Sequence, residues 1–318
     1  MSTVNPTPST SSASASTAAT ASAASPRTMH ATAHPHPDRW RGLTFGGALK
    51  SEFIKAKSLT STWVLCIINV VILAGAAAFM AFAMTFALDG AQVESETFWT
   101  SVAAGVSNCI IVAAIYGVMS ISSEFSTGSI LTSLTAVPRR GLFYASKAVA
   151  TFVIMFVCSL AGLVLATGIT LALLARNGFD HNVFTGPRPL VSILGGALIL
   201  AVVAVLSQGM GALIRATVGA IIAVIGLFEI LPSIVQLLMI YPKTSAFGGT
   251  LMHLLPSWCS DQFLAAGGTN VATSMNDLFL ANVTVFTPSW GWAGVILLAW
   301  AAVFTALGVW RMLRSDIK

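Results

Sequence analysis

The sequence predicts an all-α polytopic membrane protein with six transmembrane helices. Hydrophobic residues make up 56% of the 318-residue chain and charged residues only 8%, whereas charged residues account for about 25% of a typical soluble domain. Six apolar segments are each long enough to cross a bilayer core of about 30 Å at about 1.5 Å per residue. They lie at residues 63–87, 99–121, 148–175, 190–214, 218–240 and 290–310.

The distribution of Lys and Arg predicts the orientation of these helices. Thirteen of the 16 Lys and Arg residues lie near the two termini, in the segment 122–147 or at Arg215. The remaining three are Arg176, Arg188 and Lys243. By the positive-inside rule, the side with more cations is cytoplasmic. We therefore expect a multi-pass protein of the cell membrane with both termini in the cytoplasm.

Two segments precede the first span. Residues 1–38 are dominated by Ser, Thr, Ala and Pro, which is typical of a disordered cytoplasmic tail. In residues 39–62, apolar side chains such as Phe45 and Phe53 recur at helical spacing with lysines between them. This pattern predicts an amphipathic helix lying in the membrane interface. The six-helix transmembrane domain then occupies residues 63–318.

The loop 122–147 is expected to be a structured cytoplasmic loop. It is too polar to lie in lipid, yet Ile130, Leu131 and Leu134 form an apolar stripe on a short helix that ends at Pro138. The loop therefore presents an apolar face to the cytosol.

The external loop 241–289 is expected to lie partly against the membrane. Residues 251–266 carry Leu, Met, Pro, Trp and Phe, unlike the polar stretch that follows. We expect this part to fold back into the outer leaflet as a re-entrant element between spans five and six, or to cap the helix bundle.

The sequence shows no motif for catalysis, metal binding or nucleic-acid binding. The Gly-rich string 46–51 is not a phosphate-binding loop, because Leu49 stands before Lys50 and no strand precedes it. This chain is therefore not expected to be an enzyme by itself. No Cys or His cluster has ligand spacing and no cysteine pair is obvious, so we expect no metal site and free thiols. The cations flank the spans and form no basic patch with aromatic residues, which argues against nucleic acid.

The segment after the second span resembles the cytoplasmic loop of type-2 ABC exporter permeases. The resemblance rests on Glu124, Gly128, the apolar stripe, the run Val137-Pro138-Arg139-Arg140-Gly141, Lys147, and the segment Glu52-Phe53-Ile54-Lys55 ahead of the first span. In hydropathy it extends over residues of about 40 to 318. In that family the loop docks on a separate ATPase subunit, and six helices are half a transporter.

The resemblance implies the permease subunit of an ABC-type exporter. Two copies, or one copy with a related permease, would form the pore in the lipid bilayer, above two copies of the ATPase. ATP and Mg would bind that partner, and no cofactor is expected in this chain. ATP binding would push on the loop and open the pore outward. The implied coupling residues are Glu124, Gly128, Ile130, Leu131, Leu134, Arg139 and Arg140, and those of the connecting helix are Glu52, Phe53 and Lys55.

Glu229 is the one acidic residue deep within a span. A carboxylate there costs at least about 2.5 kcal/mol on insertion scales. It is either a structural acid bonded to Gln208 or to carbonyls freed by Pro232, or a pore-lining acid that meets the substrate. Asn108 is the second candidate for the pore. The family is apolar at the position of Glu229, so the resemblance does not decide between these interpretations.

Two other functions fit a helical membrane protein of this size. One is an ion-gradient-driven secondary transporter, which would bury ionisable residues near the midplane. The other is a membrane-embedded accessory or immunity subunit. Secondary transporters usually have more than six helices, which favours the ABC exporter. The sequence does not identify the substrate.

Overall fold

Six long apolar helices dominate a computed structural model of the protein, which confirms the predicted all-α polytopic fold. The structure describes residues 44–88, 91–126, 128, 140–179, 183–241, 244–266 and 286–314. Within these ranges the only β contact is an isolated parallel bridge between Val93 and Phe179. The predicted tail 1–38 lies outside the described residues.

The helix preceding the spans, α1, is Phe45–Ser58. Span 1 is Thr60–Leu88, span 2 Ser95–Phe125, span 3 Gly141–Leu174, span 4 Arg188–Ile214, span 5 Thr217–Met239 and span 6 Trp290–Arg314. Three spans are built from pieces: span 2 from Ser95–Ala103 and Val106–Ser126, span 4 from Arg188–Leu190, a π turn Val191–Gly195 and Gly196–Ile214, and span 5 from Thr217–Ile225, a π turn Gly226–Ile230 and Leu231–Met239. A 3-10 turn, Ala175–Asn177, follows span 3.

The helices on either side of the first predicted loop are longer than the sequence pattern indicates. The pattern places the loop at 122–147, but span 2 stays helical to Ser126 and the helix of span 3 begins at Arg140. Glu124 and Lys147 are therefore helical and buried. Both charges are paired within the bundle, as described below, so helical structure can continue through them. What remains between the two helices is a shorter connection, of which the structure describes Gly128.

Span 4 is the central helix of the bundle. In its most apolar stretch 72% of the residues are buried inside the protein, compared with 22% in span 6. It packs against spans 2, 3 and 6. The outer spans expose large apolar side chains, such as Phe79 in span 1 and Val157 in span 3. Exposed apolar surface of this extent suits a lipid environment.

Glycines bring span 4 into backbone contact with spans 2 and 6. A Cβ atom on Gly117 would collide with the backbone carbonyl of Ala204. A Cβ on Gly209 would lie 2.6 Å from the carbonyl carbon of Phe304, and one on Gly308 would lie 2.7 Å from the carbonyl oxygen of Gly209. Small residues allow such close approach, which favours association of membrane helices by van der Waals packing.

Gly209→Ala is expected to destabilise the bundle, because the new methyl group fits only if spans 4 and 6 separate. Overpacking of this kind costs about 1–3 kcal/mol. Gly168→Ala is the matched control, since Gly168 also lies within a span but a Cβ there would meet no atom within 4 Å. Thermal unfolding in detergent should give a lower Tm for Gly209→Ala and an unchanged or higher Tm for Gly168→Ala. Equal Tm values would contradict the close packing of the two spans.

The helices Ser245–Leu254 and Pro256–Leu264 form a hairpin beside span 6. Trp300 Nε1 donates a hydrogen bond to the carbonyl oxygen of Leu254 at 2.9 Å. Trp300 lies ten residues into span 6, so the turn of the hairpin is about 15 Å from the start of that span. At the other end, a Cβ on Gly294 would lie 2.8 Å from the ring of Phe263. The second helix of the hairpin therefore runs along the first half of span 6, while its first helix packs against the end of span 5.

Candidate functional site

α1 carries the first two charged residues of the candidate site. Thr44 begins this helix as its N-cap, and its hydroxyl accepts a hydrogen bond from the backbone N–H of Gly47 at 3.2 Å. Glu52 and Lys55 are three residues apart, so their side chains leave the helix on the same face. α1 packs against spans 1 and 3, and this face reaches the ends of spans 2 and 3.

Four charged side chains from three segments form one ion network, which we call the charge network: Glu52, Lys55, Glu124 and Lys147. Lys147 Nζ lies 2.6 Å from Glu52 Oε2 and 2.8 Å from Glu124 Oε1. Lys55 Nζ also contacts Glu124 Oε1. The charge network therefore links α1 to the end of span 2 and to the beginning of span 3.

The centre of the charge network is buried. The side chains of Lys147 and Glu124 are 5% and 4% exposed, that of Glu52 is 11% exposed, and that of Lys55 is 36% exposed. Two positive and two negative charges compensate one another, which is how buried ions are tolerated. Removing one partner would leave a buried charge unpaired, which is strongly destabilising.

A cavity of about 110 Å³ lies against the charge network. Besides the four charged residues, its walls include Tyr116 and the hydroxyl residues Ser61, Thr62, Ser120, Ser123 and Thr151. Such a cavity is large and polar enough to hold water.

The sequence pointed to three of these residues but not to their pairing. Glu52, Lys55 and Glu124 were predicted as site residues, and the structure brings them together, with Phe53 half-buried on the same helix. Lys147 is part of the family resemblance but is not among the predicted coupling residues, and nothing in the spacing of residues 52, 124 and 147 indicates that they meet. A lysine at the edge of an apolar run, with a carboxylate near the end of the preceding span, was the only available signal.

The predicted docking face lies almost wholly outside the described residues. Ile130, Leu131, Leu134 and Arg139 belong to the undescribed connection, and for Arg140 only its place as the first residue of the span 3 helix is described. Gly128 is exposed with a φ of 67°. That left-handed conformation suits glycine and ends the helix of span 2 sharply. The coupling role of these residues stays a prediction.

The second predicted site is in span 5. Glu229 lies in the π turn Gly226–Ile230 and is exposed, as is Asn108 of span 2. Of the partners considered for Glu229, Gln208 does not bond to it, because the buried amide of Gln208 has no hydrogen-bond partner among the described residues. The amide of Gln208 is instead buried in the protein core. The backbone carbonyl of Glu229 accepts a hydrogen bond from the Ser233 hydroxyl at 2.7 Å.

The hairpin contributes a carboxylate that sequence reasoning missed. Ser107 Oγ donates a hydrogen bond to Asp261 Oδ1 at 2.8 Å. Burial of the carboxyl raises the pKa of Asp261, which is half-buried, to about 6. The hydrogen bond from Ser107 opposes this rise in pKa, and the negative charge of Glu229 adds to it. The sequence pattern places Asp261 in the external loop 241–289, where an acidic residue is common and does not by itself indicate a site. The hairpin brings it to spans 2 and 5, beside Glu229.

Comparison with known proteins adds no assignment. No protein-family model matches the chain, and no curated protein matches it.

Proposed function

We propose that this chain is the permease subunit of a type-2 ABC exporter, driven by a separate ATPase that binds ATP and Mg. Support comes from the six spans and from the segments that carry the family resemblance. The charge network is the observation on which the proposal chiefly rests. It joins α1, the end of span 2 and the beginning of span 3, which are the segments expected to meet the ATPase.

The charge network would transmit movement of a docked subunit to the helix bundle. A subunit that docks on the connection between spans 2 and 3 moves the ends of both helices. Because Glu124 and Lys147 are bonded to each other and to α1, these ends and α1 move together. Buried ion pairs hold this geometry more firmly than exposed pairs, which contribute about 0–1 kcal/mol each.

The pore would form between two copies of the chain, along spans 2 and 5. Glu229 and Asn108 are exposed on these spans at positions deep within the helices, and an exposed carboxylate at that depth is costly against lipid. A water-filled path between two copies removes this cost. The hairpin would then be the re-entrant element that closes the outer end of the path, with Asp261 facing spans 2 and 5.

Copurification with an ATPase subunit encoded near this chain tests the proposal. Leu131→Asp combined with Leu134→Asp is expected to leave the permease inserted but to reduce the bound ATPase at least about tenfold, because unpaired carboxylates are costly in an apolar docking site. Thr132→Asp combined with Ser133→Asp is the matched control, since it adds the same charge beside the apolar stripe. Undiminished ATPase with the leucine variant would refute the docking face.

The energy source separates the proposal from the alternatives. Transport in proteoliposomes should require ATP inside the compartment that contains the ATPase, and should persist when ionophores collapse ion gradients. Transport that stops with the ionophores and ignores ATP would identify a secondary transporter. A chain that binds no ATPase and transports nothing would fit an accessory or immunity subunit.

A further inference from the structure

We propose that Cys66 and Cys158 form a redox modification site, in which a lipid-soluble quinone oxidises the two thiols to a disulfide between spans 1 and 3. All four cysteines of the chain are free thiols, but the Sγ atoms of Cys66 and Cys158 lie only 2.7 Å apart. Cys109 and Cys259 instead donate to the backbone carbonyls of Asn69 and His253. This inference is independent of the proposed function.

The packing of spans 1 and 3 holds the two thiols together. One turn along from them, Asn69 Nδ2 donates to Ser159 Oγ at 3.1 Å. Further along, a Cβ on Gly162 would lie 2.7 Å from Leu73 Cδ1. The paired positions keep nearly the same offset in sequence over successive turns, so the two helices run parallel in a fixed register. The thiols therefore do not meet by chance rotation of either helix.

The side chains around Cys66 and Cys158 determine which kind of oxidant can reach the two thiols. Cys158 is half-buried, and next to it Val157 is 56% exposed, while Ile67 beside Cys66 is 59% exposed. These apolar side chains belong to helices that we place in the membrane, so lipid covers this surface. An oxidant dissolved in the bilayer reaches Cys158 directly, whereas a charged aqueous oxidant is excluded.

A quinone is the only other reactant that the oxidation of the two thiols requires. The two thiols lose two protons and two electrons as the S–S bond forms, and the quinone takes up both to become a quinol. The sulfur atoms, 2.7 Å apart, need to approach by less than about 1 Å to reach disulfide bonding distance. Rotation about the side-chain bonds of the two cysteines can accommodate that movement.

The disulfide would form close to the cavity that adjoins the charge network. Thr62 and Ile154 line the cavity beside the network, and each stands four residues, or about one turn, before Cys66 and Cys158 respectively. A covalent bond at this point ties spans 1 and 3 together about one turn from the cavity wall and about three turns along span 3 from Lys147. Oxidation therefore restricts the motion of span 3, which carries Lys147 of the charge network, relative to span 1.

The test uses the purified full chain in phosphatidylcholine nanodiscs with decylubiquinone as the oxidant. After treatment and denaturation in SDS, thiols are counted by the mass added by PEG-maleimide. We expect the number of reactive thiols to fall from four to two. Cys66→Ser and Cys158→Ser should each stay at three, whereas the matched controls Cys109→Ser and Cys259→Ser should fall from three to one. Mass spectrometry of the unmodified sequence should identify the peptide pair joined through Cys66 and Cys158, which does not depend on the folding of any variant.

Three results would overturn the inference. Four reactive thiols after quinone treatment would show that the pair is not oxidised. A disulfide through Cys109 or Cys259 would contradict the packing of spans 1 and 3. Oxidised glutathione acting as fast as the quinone would show that the pair is reached from water, where we expect the quinone to be at least about tenfold faster because lipid covers the site.

Discussion

Lys147→Met is expected to be among the most destabilising single substitutions in this chain. Lys147 bridges Glu52 and Glu124 and its side chain is 5% exposed, so the variant leaves Glu52 without a partner in the charge network and Glu124 with Lys55 alone. Breaking a buried ion pair from one side costs about 3–5 kcal/mol. Thermal unfolding in detergent, followed with a thiol-reactive dye, should therefore give a markedly lower Tm.

Two further variants make this expectation specific to the charge network. Lys50→Met removes the same charge from an exposed position of α1 and should change stability by no more than about 0.5 kcal/mol. Adding Glu52→Gln to Lys147→Met removes an unpaired carboxylate and should recover part of the loss, as coupled residues do in a double-mutant cycle. If Lys147→Met lowered the Tm no more than Lys50→Met, the charge network would not stabilise the fold.

Glu229→Gln is expected to lower transport at least about tenfold while leaving stability nearly unchanged. The side chain is exposed and does not bond to Gln208, so the change of charge removes little from the fold. A pore that uses this carboxylate to meet its substrate loses a charged contact, and a tenfold loss corresponds to about 1.4 kcal/mol. The measurement is ATP-driven transport of a copurified substrate in proteoliposomes, alongside the Tm of the same preparation.

Glu94→Gln is the control for Glu229→Gln, since Glu94 is an exposed carboxylate outside the spans and should not affect transport. A substrate-independent measurement is the labelling of Glu229→Cys by a charged thiol reagent. Cysteine at 229 should react if it faces a water-filled path, and cysteine at the exposed Ile234 should not if it faces lipid. Full transport by Glu229→Gln would leave Glu229 as a structural acid.

The spans were predictable because the bilayer constrains each one separately. About 20 consecutive apolar residues suffice to cross it, whatever the neighbouring helices are, and the span ends differ from the prediction by up to about one or two turns. The largest error is at the start of span 3, where Lys147 seemed to mark the membrane boundary. Its charge is neutralised by Glu52 and Glu124, and pairing between distant residues leaves no periodic signal in the sequence.

The sites were less predictable than the spans for the same reason. Family resemblance selected Glu52, Lys55 and Glu124 individually, but the ion pairs depend on how α1 packs against span 3. Asp261 and the Cys66–Cys158 pair depend on the hairpin and on the register of two spans, and neither is encoded in local spacing. Gln208, one of the partners considered for Glu229, does not bond to it, because helical position alone does not say which side of span 4 faces span 5.

The backbone contacts at Gly117, Gly209 and Gly308 determine how stiffness is distributed over the molecule. At these positions spans 2, 4 and 6 are in direct backbone contact, so they resist movement relative to one another. Span 5 is expected to bend more easily, because Pro232 follows its π turn and both interrupt regular hydrogen bonding in the middle of the span, whereas the π turn of span 4 lies near the start of that span. A force applied at the end of span 2 would therefore move spans 2, 4 and 6 together. The bending would be concentrated in span 5, near Glu229.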